Sequence, residues 1–406
     1  MNKNSKNRLQ RTALSFLGVF TITFSPALAV SSDFNDRAPN APHQTPAFEG
    51  QTRAPIIDDA IAITETTIAS GFVNPWGVDQ LPDGGWLVTE RPGRLRHVSR
   101  NGDVSKPITG LPDVDARGQG GLLDILISPN FSDDRRIWWS YAEPRGNGVN
   151  GTAVATGQLS NDLTKVQNVK VIFSQQPGWR STYHFGSRLV LDTKGALFVT
   201  TGERSYVNAR KMAQDPMTHI GKVIRLNPLG GAADDNPIIP NALPEVWSWG
   251  HRNIQAAALS PDGQLWTIEH GPRGGDELNR PEAGKNYGWP IITYGEDYSG
   301  TPIGAGITAK EGMEQPIYYW DPVIAPSGMT FYNGELFKDW KGSILVGGLA
   351  SRSLIRLTLE RDRVTGEARY RQGKARVRDV DVADDGSVIL LTDANNGSLI
   401  RLTPDQ

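Results

Sequence analysis

The chain has 406 residues, with 42 basic and 44 acidic side chains, a formal net charge of −2 and no cysteine. Lack of cysteine excludes disulfides, thiolate zinc sites, iron–sulfur clusters and a cysteine nucleophile. The mildly acidic balance argues against a nucleic-acid partner, whose binding rests on clustered Lys and Arg neutralising phosphates.

The first elements read as an export signal over residues 1–29. Lys3, Lys6, Arg8 and Arg11 form a basic start, an apolar run follows from Ala13 to Phe24, and Ala27-Leu28-Ala29 supplies a small-x-small cleavage pattern. That run is shorter than the roughly 20 residues a bilayer span needs, although a single N-terminal anchor is the alternative reading. No later segment approaches that length, so the mature protein is expected to be soluble, without stable membrane insertion, and periplasmic or secreted. Cleavage would leave 38 basic against 44 acidic residues. Residues 30–55 are rich in Pro, Asn, Ser and Gln and lack periodicity, which predicts a flexible leader. The folded domain is then 56–406.

From there a unit recurs: an apolar strand, a turn with Asp-Gly or a relative, and a second apolar strand. Copies run over Trp76–Thr89, Leu122–Tyr141, Ser187–Thr200, Ala257–Ile268, Met329–Val346 and Val380–Thr392. Companion strands follow several of them, as in Gly93–Val98, Gly221–Leu226, Ser353–Leu357 and Gly397–Leu402. Asp-Gly supplies the positive φ of tight hairpins, and alternation buries one face of each strand. Six antiparallel units of roughly 55 to 60 residues suit an all-β, six-bladed β-propeller of four-stranded antiparallel blades. A β-sandwich or two β domains is the alternative.

Polar residues gather in the loops between repeats. Arg117–Asp124 carries glycines without the helix or lysine of a phosphate loop, so a plain turn accounts for it equally well. His184, in Tyr183–Leu189 at a strand entrance, is either a general base or a structural histidine. Glu203 falls near the same blade end, to orient a base, bind a polar substrate or sit solvated. Trp247–Asn253 packs two indoles, Arg252 and Asn253 together; Arg252 suits a carboxylate partner. Glu269–Asn279, followed by Asn286–Pro290, combines glycine carbonyls with carboxylates, an oxygen set that fits a hard cation such as calcium. No His-x-x-x-His arrangement supports zinc.

Taken in order, these motifs resemble the soluble quinoprotein glucose/sorbosone dehydrogenase family, and within it the aldose sugar dehydrogenases dependent on pyrroloquinoline quinone (PQQ). The resemblance covers nearly all of residues 65–405. It implies a six-bladed propeller that binds PQQ and calcium at one mouth and oxidises the C1 hydroxyl of an aldose sugar to a lactone, passing electrons on to an acceptor the sequence does not identify. His184 matches the family's general base, and Arg252 would add electrostatic stabilisation. Gln119, Arg252, Asn253, Tyr298, Ala350, Arg376 and Arg378 match cofactor positions. The carbonyls of Gly271 and Pro272, with Glu277 and Tyr287, match calcium positions. Ala350 stands where the better-known glucose dehydrogenases place a lysine, and Glu203 where they have aspartate, which puts a strict glucose preference in doubt. Glu203 and Trp320, the latter with Trp247 and Trp249, are candidates for substrate contacts. A monomer or homodimer is expected. Two rivals stay open: a calcium-dependent propeller hydrolase of the lactonase kind and a non-catalytic interaction propeller.

Overall fold

The computed structural model describes Met1 and residues 34–58 and 61–405, so the expected signal segment lies outside the described residues. The chain builds six antiparallel sheets in sequence order. Their inner strands are Pro75–Gln80, Leu122–Ile127, Gly186–Leu191, Ile254–Leu259, Pro326–Phe331 and Val377–Val382, each packed beside the next, with the sixth beside the first. The six-bladed propeller is thus borne out. Five blades have four strands, whereas blade 1 has three, its outer position reduced to the bridges Leu95–Ile108 and Val98–Val104. Ile63–Phe72 pairs with Gly397–Pro404 as the outer strand of blade 6, so both ends of the domain complete one sheet.

The repeat works through its turns. Gly84, Gly195, Gly263 and Gly386 hold φ of 81, 85, 79 and 82°, the left-handed region that Asp-Gly hairpins demand. Between blades, buried apolar clusters fill the space, and each junction carries a side-chain-to-backbone hydrogen bond. Asp79 accepts from Ile127 N at 2.6 Å, Asp124 from Leu189 N at 2.7 Å, and Asp379 from Val78 N at 3.0 Å. Thr200 donates to Ile254 O at 3.2 Å, Asp276 accepts from Ile324 N at 2.8 Å, and Ser327 donates to Val377 O at 2.7 Å. Such bonds contribute about 1 kcal/mol each, and here they close the circle.

The stretch expected as a leader is not free of the propeller. Asp321 accepts the N–H groups of Asn40 and Ala41, Gln51 donates to Pro316 O at 2.8 Å, and the Pro55 carbonyl accepts from Glu367 N at 2.9 Å. Its partners are remote side chains and backbone groups, Glu367 of the strand Arg363–Tyr370 among them, which leave no periodicity in the segment itself.

Candidate active site

At one mouth of the ring lies a cavity of about 220 Å³, walled by Trp76, Gln119, Asn253, His270, Arg376 and Arg378 among others. The loop entering blade 3 and the loop after its second strand bring together a reactive pair next to the cavity residues Phe185 and Gly186. His184 stands just before the inner strand with φ of 49°, and Gly202 lets the loops meet: a Cβ there would lie 2.2 Å from the His184 carbonyl oxygen. His184 is 7% exposed, and its Nδ1 is 2.7 Å from Glu203 Oε1. A carboxylate accepts only, so Nδ1 carries the proton in the neutral ring and Nε2 is left with its lone pair. Burial first, and then the charge of Arg252, pull the His184 pKa down to about 4, with Glu203 acting the other way. The histidine is therefore neutral and basic at neutral pH.

Gln119 supports it from blade 2's entry loop, its side-chain oxygen accepting the His184 backbone N–H at 2.8 Å. Asn253 Oδ1 accepts from Gly186 N at 3.1 Å and from Gln255 at 3.3 Å. Arg252 is 3% exposed, donates through Nη1 to His270 O at 2.9 Å, and keeps a buried Nε without a partner. Arg376 grips Asp393 Oδ2 through Nε and Nη2 at 2.9 and 2.7 Å. Arg378 reaches the same oxygen at 3.1 Å and also holds a buried, unpartnered Nε. Of the two orphaned N–H groups, that of Arg378 lies in the cavity wall and that of Arg252 in the wall of the neighbouring cleft, and such donors suit an anionic ligand.

A second, small cleft is lined by Gly271, Glu277 and Tyr287. The carbonyl oxygens of Gly271 and Pro272 accept no hydrogen bond among the described residues. Glu277 and Glu269 face each other across their strands, and burial, then Glu269, push the Glu277 carboxyl well above its ordinary range. Tyr287 spends its hydroxyl on Arg280 O and Glu282 N, leaving its carbonyl as the oxygen it can offer. No three acidic or histidine side chains converge on one metal position among the described residues; a cation here would rest on carbonyls plus Glu277, an oxygen set that fits calcium.

Other expected residues lie elsewhere. Tyr298 is 72% exposed on the turn Asp297–Gly300 and does not wall the cavity. Ala350 is exposed, and its neighbour Leu349 lines the cavity instead. Trp320, expected in a sugar-stacking wall, is 3% exposed in the core between blades 4 and 5, its indole N–H bound to Glu367 at 3.0 Å. Trp247 likewise donates to Pro281 O at 3.0 Å and packs edge-on against Phe198.

Arg91, His270 and Asp393 also wall the cavity, and sequence reasoning did not single them out. Each stands one residue past the second strand of its blade, after Glu90, Glu269 and Thr392. Aligning the repeats by register would have found them.

The family model for glucose/sorbosone dehydrogenase matches residues 72–401. Aldose sugar dehydrogenase YliI of Escherichia coli (strain K12) is 44% identical over 337 residues, covering 82% of this chain and 90% of that protein. The crystal structure of the soluble aldose sugar dehydrogenase from Escherichia coli in its apo form superposes with a TM-score of 0.81 at 42% identity, covering 85% of this chain and 100% of that one. Quinoprotein glucose dehydrogenase B of Acinetobacter calcoaceticus is 25% identical over 422 residues, covering 81% of this chain and 87% of that protein. Fold and site together define a propeller oxidoreductase of the sugar-dehydrogenase class. The chain belongs to the glucose/sorbosone dehydrogenase family.

Proposed function

We propose that this protein is a PQQ-dependent aldose sugar dehydrogenase that oxidises the C1 hydroxyl of aldoses, with His184 as the general base. The observation that carries the reading is the neutral His184, oriented by Glu203 two residues before Gly186 of the cavity wall, where Arg378 keeps a buried Nε without a partner. His184 Nε2 is placed to take the C1 hydroxyl proton, while Glu203 keeps the ring in the competent tautomer and balances the imidazolium that forms. Arg252, whose charge already acts on His184, offers electrostatic stabilisation to negative charge growing near the cavity. Arg378, Arg376, Asn253 and Gln119 are the residues that would hold the cofactor; Tyr298 and Ala350, outside the cavity wall, would join only on a further contact; the Gly271 and Pro272 carbonyls, with Glu277 and Tyr287, would hold calcium. When bound, PQQ supplies the two-electron acceptor for the C1 hydride as the sugar becomes a lactone, and calcium supplies Lewis acidity. The names of the Escherichia coli and Acinetobacter relatives support this substrate class and a quinone cofactor.

A lactonase-like hydrolase would need several carboxylates around one metal, an arrangement absent among the described residues. The N-terminal basic and apolar pattern supports export to the periplasm or medium. Reconstitution of apo-protein is the test: sugar-dependent dye reduction should require PQQ and calcium together. Full activity with a nicotinamide cofactor and no PQQ would overturn the reading.

A further inference from the structure

We propose that Arg91 is a third guanidinium of the cofactor seat, receiving an anionic group of the bound quinone and tying that seat to the loop that holds the base. This rests on the functional reading above and adds to it a residue and a coupling. Arg91 leaves the strand Trp86–Glu90 and lines the same cavity as Arg376 and Arg378. That wall carries three guanidiniums and one carboxylate. Asp393 bonds Arg376 and Arg378, and no hydrogen bond or ion pair joins it to Arg91 among the described residues. Positive charge left without a counterion in a partly enclosed cavity is costly, and an anionic ligand removes that cost.

The rest of the Arg91 side chain faces the other way. Its Nε donates to Gly120 O at 2.9 Å, and its Nη2 donates to the Gly118 carbonyl. These glycines flank Gln119, whose side-chain oxygen accepts the His184 N–H. The backbones touch as well: Leu122 N donates to Arg91 O at 3.2 Å, and a Cβ on Gly121 would sit 2.1 Å from that oxygen. One guanidinium thus spans the cofactor cavity and the strut of the base. A fork of five donors can serve both, whereas a lysine ammonium cannot reproduce the fork.

The test is a PQQ titration of apo-protein in calcium buffer, read by protein fluorescence quenching and by melting temperature, for wild type, Arg91→Met, Arg91→Gln and Arg91→Lys. Either neutral variant should bind PQQ about tenfold to hundredfold more weakly, as expected for a charge-assisted contact. Arg91→Lys should keep most of the affinity but reduce bound PQQ more slowly at saturation, because Gln119 is less firmly held. Should Arg91→Met fail to fold, Arg91→Gln, which keeps a donor and loses the charge, decides. Wild-type affinity in a folded neutral variant overturns the contact, and a wild-type reduction rate in Arg91→Lys overturns the coupling. If wild-type protein itself binds no PQQ, the functional reading falls and this proposal with it.

Discussion

His184 and Glu203 meet through Nδ1 and Oε1 at 2.7 Å, across two loops that belong to the same blade. The carboxylate raises the proton affinity of the ring, while burial and Arg252 lower it by more. His184→Ala should therefore lower turnover by about 10²–10⁴ with little change in PQQ affinity. A stable variant that reduces bound PQQ at the wild-type rate would exclude His184 as the base.

The same balance fixes a pH dependence. Because the imidazole accepts a proton only when neutral, the reductive rate should hold from neutral pH downward and fall as pH drops through about 4. In Glu203→Gln the carboxylate charge that raises the histidine pKa is gone, so the acid limb should move lower while the plateau rate also drops. Pre-steady-state rates over pH 3.5–7, a window set by about the shift above and the ordinary histidine value near 6.5, check this. A wild-type limb near the ordinary value counts against it.

Arg378→Ala should weaken PQQ binding by about tenfold to hundredfold, the worth of a charge-assisted contact, and alter saturated turnover far less. Fluorescence titration of apo-protein measures it. Unchanged affinity would make Arg378 only a partner of Asp393, with which it already shares a bond at 3.1 Å.

Trp320→Ala distinguishes core from substrate wall. A tryptophan truncated in a packed interior costs about 3–5 kcal/mol, and Glu367 would lose the indole donor. Unfolding stability should fall sharply, while the folded fraction keeps its sugar KM. A raised KM with normal stability would return Trp320 to the substrate.

The ring axis opposite the cavity holds Asp79, Asp124, Asp379 and Asp381 around the single cation Arg188. Burial is the first cause that pushes Asp124 and Asp381 up to about 7. Their ordinary value is about 3.9, so the stability they contribute is complete below that value and is lost as pH rises through about 7. Melting temperature should decline from mildly acidic to mildly alkaline pH, and Asp381→Asn should flatten the decline. Parallel profiles for variant and wild type would exclude this origin.

The blade pattern was legible because it is local: Asp262-Gly263 turns the hairpin whether or not the ring exists, and alternation beside it assigns the buried face. The missing outer strand of blade 1 was not, since residues 101–109 lack alternation and form only isolated bridges. His184 and Glu203 could be placed at one blade end from strand lengths alone, but their contact depends on a left-handed His184 that no local signal announced. Trp320 shows the limit of composition, because an indole looks alike in a sugar platform and in a core; its burial and its bond to Glu367, which favour the core, depend on chain segments far apart in sequence. Asn40 and Ala41 are held by Asp321, some 280 positions away, a distance at which sequence pattern carries no trace.

The pairing of Ile63–Phe72 with Gly397–Pro404 sets an order on synthesis. The strand made first waits, with its backbone donors and acceptors exposed, until the last-made strand arrives. Throughout that interval the nascent chain presents an unpaired edge, the feature by which β proteins aggregate. Thr64, Glu65, Thr66 and Thr67 lie along this edge in place of a continuous apolar run, which makes the waiting strand a poor template for strangers. A C-terminal truncation of a few residues would leave that edge permanently open.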